Sequence, residues 1–337
     1  MDTSGKKFVV GLDIGYSNLK MTYGFSDESK FTTEIFPASG VRENSSTFLR
    51  RSTPDAVSVS VDGERWNVFG PGKSQERETN SGYTRTAIYR ALFLGALVKI
   101  AKVSKTIDVL VTGLPASQAQ DQAVVKPLTT LMEGIHKLDD GSEVLIRKVL
   151  VQSQGAGVIN DVLNNIEDPN RLFKSNILVM DPGYYSVDYV TYERGQFNQR
   201  ASGSSVEAVR SFISTINNMM KTELKTEPGD DTIEQAFREG ETSIHLYGNA
   251  HDLTPYIERA KKEVAPRLMS QMRNSMSYME TARVDEVLLA GGGANLYEAA
   301  AREAFPNARV NISDEPVASN SRGFFFYGMG ELEAMNG

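Results

Sequence analysis

The chain has 337 residues, of which 40% are hydrophobic and 23% are charged, and its formal net charge is −7. This length is sufficient for two domains with sizeable cores. The acidic balance, without a long basic run, argues against direct binding of nucleic acid, and the absence of cysteine excludes disulfides and cysteine metal sites. Because no apolar run approaches the ~18 residues of a spanning helix, we expect a cytoplasmic protein without membrane contact.

The first informative stretch is an apolar run that ends in a small polar turn. Residues 9–14 lead into Gly15-Tyr16-Ser17-Asn18, and apolar residues then alternate with Lys20, Thr22 and Gly24. This period of two is typical of a half-buried strand and predicts a β-hairpin.

The turn of this hairpin has the residue types of an anion site. Gly15 allows backbone N–H groups to approach a phosphate, Ser17 and Asn18 add donors, and Lys20 adds a cation. Asp13, at the strand end, can hold the water shell of a Mg²⁺ ion. The alternative is an ordinary hairpin with a solvated aspartate.

The next part of the chain predicts a β-rich insert and then alternating helices and strands. Alternation over residues 57–61, the turn Asp62-Gly63 and the strand around Trp66 indicate a second hairpin, with Trp66 as a packing residue. Helices are predicted over residues 86–102 and 118–134. Between and after them we expect a strand over residues 107–111 and a strand pair with a turn at Asp139-Asp140-Gly141.

The stretch 149–158 predicts a strand, a turn and the start of a helix that reaches about Asn165. Gln152 falls near the end of this strand. A glutamine can orient a water molecule, and the alternative is a polar residue that caps the turn.

A second apolar strand that ends in Asp-x-Gly decides that the first hairpin is a phosphate site and not an ordinary hairpin. Residues 176–180 lead into Asp181-Pro182-Gly183, and Tyr184, Tyr185 and Ser186 precede another alternating strand that contains Asp188. Two such hairpins predict two similar domains that face one phosphate chain.

The remaining elements are a capped helix, a methionine-rich helix and a glycine turn. Ser204 and Glu207 have the spacing of a capping box that would open a helix to about Leu224, with Gly203 either against a nucleotide or at a plain helix start. A long helix is predicted over residues 254–279, with its methionines in the core. A strand then runs into Gly291-Gly292-Gly293 and a helix that contains Asn295, a turn that lets a nucleotide lie against bare backbone.

These motifs, in this order, resemble the actin-like ATPase superfamily, above all the prokaryotic ParM/StbA plasmid-segregation family and archaeal actin-like proteins. The two hairpins resemble the phosphate-1 and phosphate-2 motifs, and residues 288–295 resemble the adenosine motif. Residues 149–158 and 315–323 resemble the two connecting motifs. In place of the small residues that usually follow Asp-x-Gly in phosphate-2, this chain has Tyr184 and Tyr185.

The resemblance implies an α/β fold of two actin-like (ribonuclease H-like) domains with a nucleotide cleft between them. The first domain would comprise residues 1–167 and 318–337, with an insert over about 27–80. The second would comprise residues 168–317, with an insert over about 228–255.

The resemblance also implies an ATPase that binds ATP, with GTP as the alternative, together with Mg²⁺, and that polymerises and segregates plasmid DNA through a DNA-binding adaptor. Asp13 and Asp181 would hold Mg²⁺ through water, and Gln152 would orient the attacking water. The nucleotide would lie against both hairpin turns and the glycine-rich segments, at Gly15, Tyr16, Ser17, Asn18, Lys20, Gly183, Tyr184, Tyr185, Gly203, Gly291, Gly292, Gly293 and Asn295. A non-polymerising nucleotide-binding scaffold and a small-molecule kinase of the same superfamily are the alternative functions.

Overall fold

A computed structural model of the chain describes residues 6–43, 54–70, 82–184, 186–205, 208–279 and 283–336. The chain divides into two compact units. The first unit comprises Met1–Pro169 and Ser313–Gly337, and the second comprises Asn170–Ile312. In the part of the chain that the structure describes, no helix is long and apolar enough to cross a membrane.

The helices and strands of the described residues alternate in the manner of an α/β protein. Up to residue 165 they are β1 (Phe8–Ile14), β2 (Asn18–Phe25), β3 (Thr32–Pro37), β4 (Gly40–Arg42), β5 (Val57–Val61), β6 (Glu64–Val68), α1 (Ala87–Ile100), β7 (Thr106–Ile107), β8 (Val109–Leu114), α2 (Gln122–Met132), β9 (Gly134–Lys137), β10 (Glu143–Ile146), β11 (Val149–Ser153) and α3 (Ala156–Asn165). The remaining elements are α4 (Pro169–Lys174), β12 (Asn176–Pro182), β13 (Val187–Glu193), β14 (Gln196–Ser205), α5 (Val209–Leu224), α6 (Asp230–Glu239), β15 (Ser243–Leu246), β16 (Asn249–Asp252), α7 (Thr254–Met276), β17 (Glu286–Leu289), α8 (Ala294–Ala304), β18 (Arg309–Ile312) and α9 (Ser319–Asn336).

The first unit is built on a five-stranded sheet in the order β11-β8-β1-β2-β3. The predicted first hairpin is confirmed, because β1 and β2 pair antiparallel, and β8 joins β1 in parallel. All of β1 is buried because both faces of the sheet are covered. Val10 and Leu12 belong to the core that contains α1, whereas Val9 packs with Phe324 of α9.

The predicted insert hairpin is confirmed by strands β5 and β6, which pair antiparallel in a sheet with β4. Asp62 and Gly63 have φ angles of 51° and 80°, which is the left-handed pair that a tight two-residue hairpin turn requires. Trp66 is fully buried, and the guanidinium of Arg42 lies 5.1 Å from its ring centroid. The indole is therefore a packing residue, as the sequence predicts.

The second unit repeats the arrangement of the first with the sheet order β14-β13-β12-β17-β18. Strand β12 pairs antiparallel with β13 and parallel with β17. The predicted core position of the methionine stripe is confirmed, since Met269, Met272, Met276 and Met279 are all buried. Two units with the same sheet order are the two similar domains that the two hairpins predict.

The predicted capping box at Ser204 is wrong. Ser204 lies inside strand β14, opposite Asp188 of β13, and Glu207 lies outside the described residues. Helix α5 begins only at Val209 and has no side-chain cap at Ala208. Pairing with β13 satisfies the backbone of residues 203–205 along a whole ladder, which outweighs the local preference of a serine for a helix start.

Helices α3 and α9 of the first unit cross at two glycines. A Cβ atom on Gly323 would lie 1.6 Å from the carbonyl oxygen of Gly157, so the backbones touch at a distance that only glycine permits. Asp161 and Arg322 form a bidentate ion pair beside this crossing, at 2.9 and 2.7 Å, and both side chains are buried. The pair fixes α9 against α3, the helix that follows β11.

Candidate functional site

The turn of the first hairpin is a compact loop that glycine makes possible. The Gly15 N–H donates to the carbonyl of Asn18 at 3.0 Å, and the Ala38 N–H donates to the carbonyl of Ser17 at 2.8 Å. A Cβ on Gly15 would lie 3.1 Å from the Asn18 oxygen and 3.3 Å from the Lys20 ammonium. The turn therefore places the Lys20 ammonium close to the bare backbone of Gly15.

Asp13 is a buried carboxylate that two donors hold. Its side chain is 2% exposed and lies opposite Lys20 in the β1–β2 register. The Lys20 ammonium donates to Oδ2 at 2.9 Å, and the Gln154 amide donates to Oδ1 at 3.1 Å. A buried charge is tolerated when it is paired and hydrogen-bonded in this way.

The hydroxyl groups of Thr112 and Tyr89 form a second polar contact near Asp13. The Thr112 hydroxyl on β8 donates to the Leu12 carbonyl at 2.9 Å and contacts the hydroxyl of Tyr89 on α1. Burial raises the pKa of Tyr89, and the nearby charge of Asp13 raises it further. Tyr89 therefore remains a neutral phenol, and Lys20 supplies the positive charge beside Asp13.

Gln154 was missed in the sequence, and Gln152 points elsewhere. The side chain of Gln152 contacts the hydroxyl of Tyr327 on α9, whose pKa is raised by burial and then by its hydrogen bond to Glu331. Gln154 follows the last residue of β11, where alternation no longer fixes the direction of a side chain. The sequence signal that indicates Gln154 is its position directly before Gly155, the glycine at which α3 opens. Gly155 has a φ angle of 91°.

The second hairpin has the same closure as the first. The Gly183 N–H donates to the Ser186 carbonyl at 2.8 Å, the equivalent of the bond between Gly15 and Asn18. Asp181 lies opposite Asp188 in the β12–β13 register. Ser186 donates to Asp188 at 3.1 Å, so Asp188 braces the turn.

The first tyrosine after Asp-x-Gly leaves the turn intact. The carbonyls of Gly183 and Tyr184 accept hydrogen bonds from the N–H groups of Val209 and Arg210 at the start of α5, at 3.2 and 3.0 Å. The Tyr184 ring is partly buried against the core of the second unit. Tyr185 lies outside the described residues.

The glycine turn packs directly on the second hairpin. Gly291 has a φ angle of 76°, and a Cβ on it would lie 2.2 Å from the Asp181 carboxylate. The Gly293 N–H donates to the Pro182 carbonyl at 3.0 Å. By contrast, no atom of the described residues lies within 4 Å of a Cβ on Gly292, so this glycine faces open space in that part of the chain. Asp181 and the glycine turn therefore form one cluster.

Two further candidates in the second unit lie beside this cluster. Asn295 is an exposed residue in the first turn of α8. Gly203 lies in β14 opposite Tyr189, and a Cβ on it would lie 2.7 Å from the Tyr189 hydroxyl, which in turn contacts the Ser275 hydroxyl at 2.9 Å. Gly203 makes room for the tyrosine and is not at a helix start.

The carboxylates fit a metal only together with water and phosphate. Among the described residues no group of three or more histidine, aspartate or glutamate side chains could hold a metal ion. Mg²⁺ commonly takes one or two carboxylates and completes its shell with water and substrate phosphates. Asp13 in the first unit and Asp181 in the second are each a single strand-end carboxylate, and each suits that kind of site. Both oxygens of Asp13 already accept hydrogen bonds, which favours contact through water.

Comparisons with known proteins agree with this architecture. A family model described as the actin-like proteins N-terminal domain matches residues 11–157, and one described as the archaeal actin homologue MreB-like C-terminal domain matches residues 179–303. No curated protein sequence matches the chain.

Several solved structures share the fold over nearly the whole chain. The crystal structure of an archaeal actin homologue superposes with a TM-score of 0.76 at 20% identity, over 96% of this chain and 99% of the other. The same homologue in complex with ADP gives 0.72 at 19% identity, over 97% and 99%. A 15-stranded ParM filament from Clostridium botulinum gives 0.72 at 19% identity, over 97% and 100%. The chain therefore has an actin-like fold, in which the N-terminal part is similar to actin-like proteins and the C-terminal part to archaeal MreB-like actin homologues.

Proposed function

We propose that the chain binds ATP with Mg²⁺, hydrolyses it to ADP and phosphate, and assembles into filaments in a nucleotide-dependent manner. The observation that carries the proposal is the repeated hairpin. In each unit an aspartate, Asp13 or Asp181, is the penultimate residue of the first strand, and the turn closes through the N–H of the glycine two residues later. GTP is the alternative nucleotide.

The first hairpin is proposed to hold the phosphates. Gly15, Tyr16, Ser17 and Asn18 would supply backbone and side-chain donors, and Lys20 would supply the charge. The compact turn and the closeness of the Lys20 ammonium to bare backbone support this role.

The cluster of the second unit is proposed to hold the metal and the nucleoside. Mg²⁺, when bound, neutralises the charge of the phosphates, and Asp181 and Asp13 would hold it through water. Adenosine would lie against Gly292 and Gly293. The open space above Gly292 supports this placement.

Gln154 is proposed to orient the attacking water in place of Gln152. Catalysis of phosphoryl transfer to water is mainly positioning and charge neutralisation, so the relevant amide must lie beside the carboxylates. The Gln154 amide contacts Asp13 at 3.1 Å, whereas the Gln152 side chain contacts Tyr327 of α9.

Filament formation is proposed on the strength of the fold and its neighbours, which include a ParM filament. Since the chain carries a net charge of −7, coupling to plasmid DNA would require a separate DNA-binding adaptor. The absence of cysteine suits the reducing cytoplasm, where such a filament would operate.

The experiment that tests the proposal measures phosphate release and light scattering in one sample with ATP and Mg²⁺. We expect both signals to rise in the parent, and phosphate release to fall steeply in the Asp181→Ala variant. Asp140→Ala is the matched control, because Asp140 lies in an exposed turn and accepts a bond from the Ser142 N–H at 2.9 Å.

Three outcomes would contradict the proposal. Nucleotide binding without turnover or scattering would identify a scaffold. Phosphate release that requires an added acceptor, without scattering, would identify a small-molecule kinase. Parent-like turnover of Asp181→Ala would remove this aspartate from the site.

A further inference from the structure

An aromatic pair holds the turn of the first hairpin from outside the hairpin. The rings of Tyr16 and Tyr83 stack with centroids 4.3 Å apart and planes at 30°. The Tyr83 hydroxyl also donates to the carbonyl of Gly15 at 3.2 Å. One side chain thus contacts the turn in two ways, through its ring and through its hydroxyl.

Tyr83 is itself fixed by its neighbours. It begins a 3₁₀ turn, Tyr83–Arg85, that precedes α1. The Thr86 hydroxyl, which caps α1 by accepting from the Tyr89 N–H, donates to the Tyr83 carbonyl at 2.7 Å. The Tyr83 ring also meets the buried Tyr89 ring edge-on, at 5.2 Å. Because its backbone and ring are both held, Tyr83 can fix the position of the turn that it contacts.

The hydrogen bond to Gly15 has a consequence for the next N–H. The Gly15 carbonyl and the Tyr16 N–H belong to one planar trans peptide group, so they point in opposite directions within the same rigid plane. A donor that holds the carbonyl therefore sets the direction of the N–H. The N–H groups of such a turn bind an anion only when they converge on one point.

We propose that Tyr83 is a positioning residue for phosphate binding, which acts by fixing the Gly15–Tyr16 peptide in the turn. The inference rests on the proposed function, because it concerns the same phosphate site. Tyr83 itself needs no contact with the nucleotide. Loss of Tyr83 should weaken the binding of ligands that carry phosphates and leave the binding of ligands without phosphates unchanged.

The test compares ADP with adenosine by calorimetric titration of the full chain. Tyr83→Phe keeps the ring stack and removes the hydroxyl, and we expect ADP to bind about threefold to tenfold more weakly, the range for one net hydrogen bond. Adenosine affinity should be unchanged. Tyr83→Leu, which also removes the stack, should lose more ADP affinity. Tyr23→Phe is the control. It also removes a tyrosine hydroxyl, but that hydroxyl lies on β2 and donates to Glu34 of β3 at 3.0 Å instead of to the turn.

The readings separate the inference from the function on which it rests. Parent-like ADP affinity in Tyr83→Phe overturns the inference alone, and so does an equal loss for ADP and adenosine, which would indicate a general structural effect. A urea unfolding midpoint of Tyr83→Phe that falls well below that of Tyr23→Phe would also assign the residue to stability. If the parent binds neither ligand, the proposed function fails and the inference fails with it.

Discussion

Replacing Gln154 by alanine tests the assignment of the water-orienting amide most directly. Asp13 is 2% exposed, and its Oδ1 accepts from the Gln154 amide at 3.1 Å. A hydrogen bond to a charged group is worth about 1.5–3 kcal/mol, so we expect the variant to lose up to about that amount of unfolding free energy. If the same amide orders the attacking water, phosphate release should also fall by roughly 10²–10³, the typical loss for one preorganised donor.

The assay uses two measurements so that stability and chemistry are separated. Urea unfolding of the nucleotide-free protein reports the loss at Asp13, and single-turnover phosphate release at saturating ATP reports the chemical step. ATP binding should persist because Lys20 and the turn remain. Filaments of Gln154→Ala should therefore assemble and outlast those of the parent after ATP is exhausted, as sedimentation over time would show.

Gln152→Ala is the matched control, since it removes the same side chain two residues earlier on β11. Its contact is with Tyr327, so hydrolysis and filament lifetime should stay near those of the parent. The opposite pattern, a slow Gln152→Ala and a fast Gln154→Ala, would refute the reasoning. The family resemblance would then locate the catalytic amide correctly, and the contact between Gln154 and Asp13 would be structural.

Three further tests, two with paired substitutions and one with a single substitution, concern the same two units. Asp13→Asn should lower the free energy of unfolding measured in urea by about 1–3 kcal/mol, because it removes the carboxylate that pairs with the Lys20 ammonium. Asp181→Asn should mainly raise the Mg²⁺ concentration needed for turnover. Gly291→Ala should destabilise the fold by about 1–3 kcal/mol, since its φ of 76° and the adjacent carboxylate both oppose a Cβ, while Gly292→Ala should unfold like the parent. Arg322→Met should cost about 3–5 kcal/mol in urea unfolding, because it leaves a buried carboxylate on α3 unpaired; a cost below 1 kcal/mol would show that this carboxylate is solvated or protonated.

The fold was predictable from the sequence because its signals are local and repeated. An apolar strand, a glycine turn and an alternating strand specify a hairpin without knowledge of the rest of the chain, and Asp62-Gly63 specifies its turn type. The second copy at Asp181 then implies a second unit of the same design. The hairpin of β15 and β16 escaped prediction, although Tyr247 and Gly248 form the same left-handed turn pair, because its strands are short and mostly exposed.

The site was less predictable because it depends on side-chain direction at the ends of strands. Alternation fixes directions inside a strand, but β11 ends at Ser153 and Gln154 lies one residue beyond it. The alternative of a solvated aspartate was also wrong for Asp13, which is buried and contacts Gln154, 141 residues later in the chain. Contacts that distant in sequence leave no pattern in a local window.

The two hairpins share a backbone and differ in charge, which argues for unequal roles. In the first, the register partner of Asp13 is Lys20, so the pair is neutral and the donors of the turn dominate. In the second, the register partner of Asp181 is Asp188, so two carboxylates share the strand ends. A neutral turn rich in donors suits an anion, and a pair of carboxylates suits a cation. We therefore propose that Asp13 and Asp181 both hold the metal through water but contribute unequally, with the first hairpin contacting mainly phosphate and the second mainly Mg²⁺.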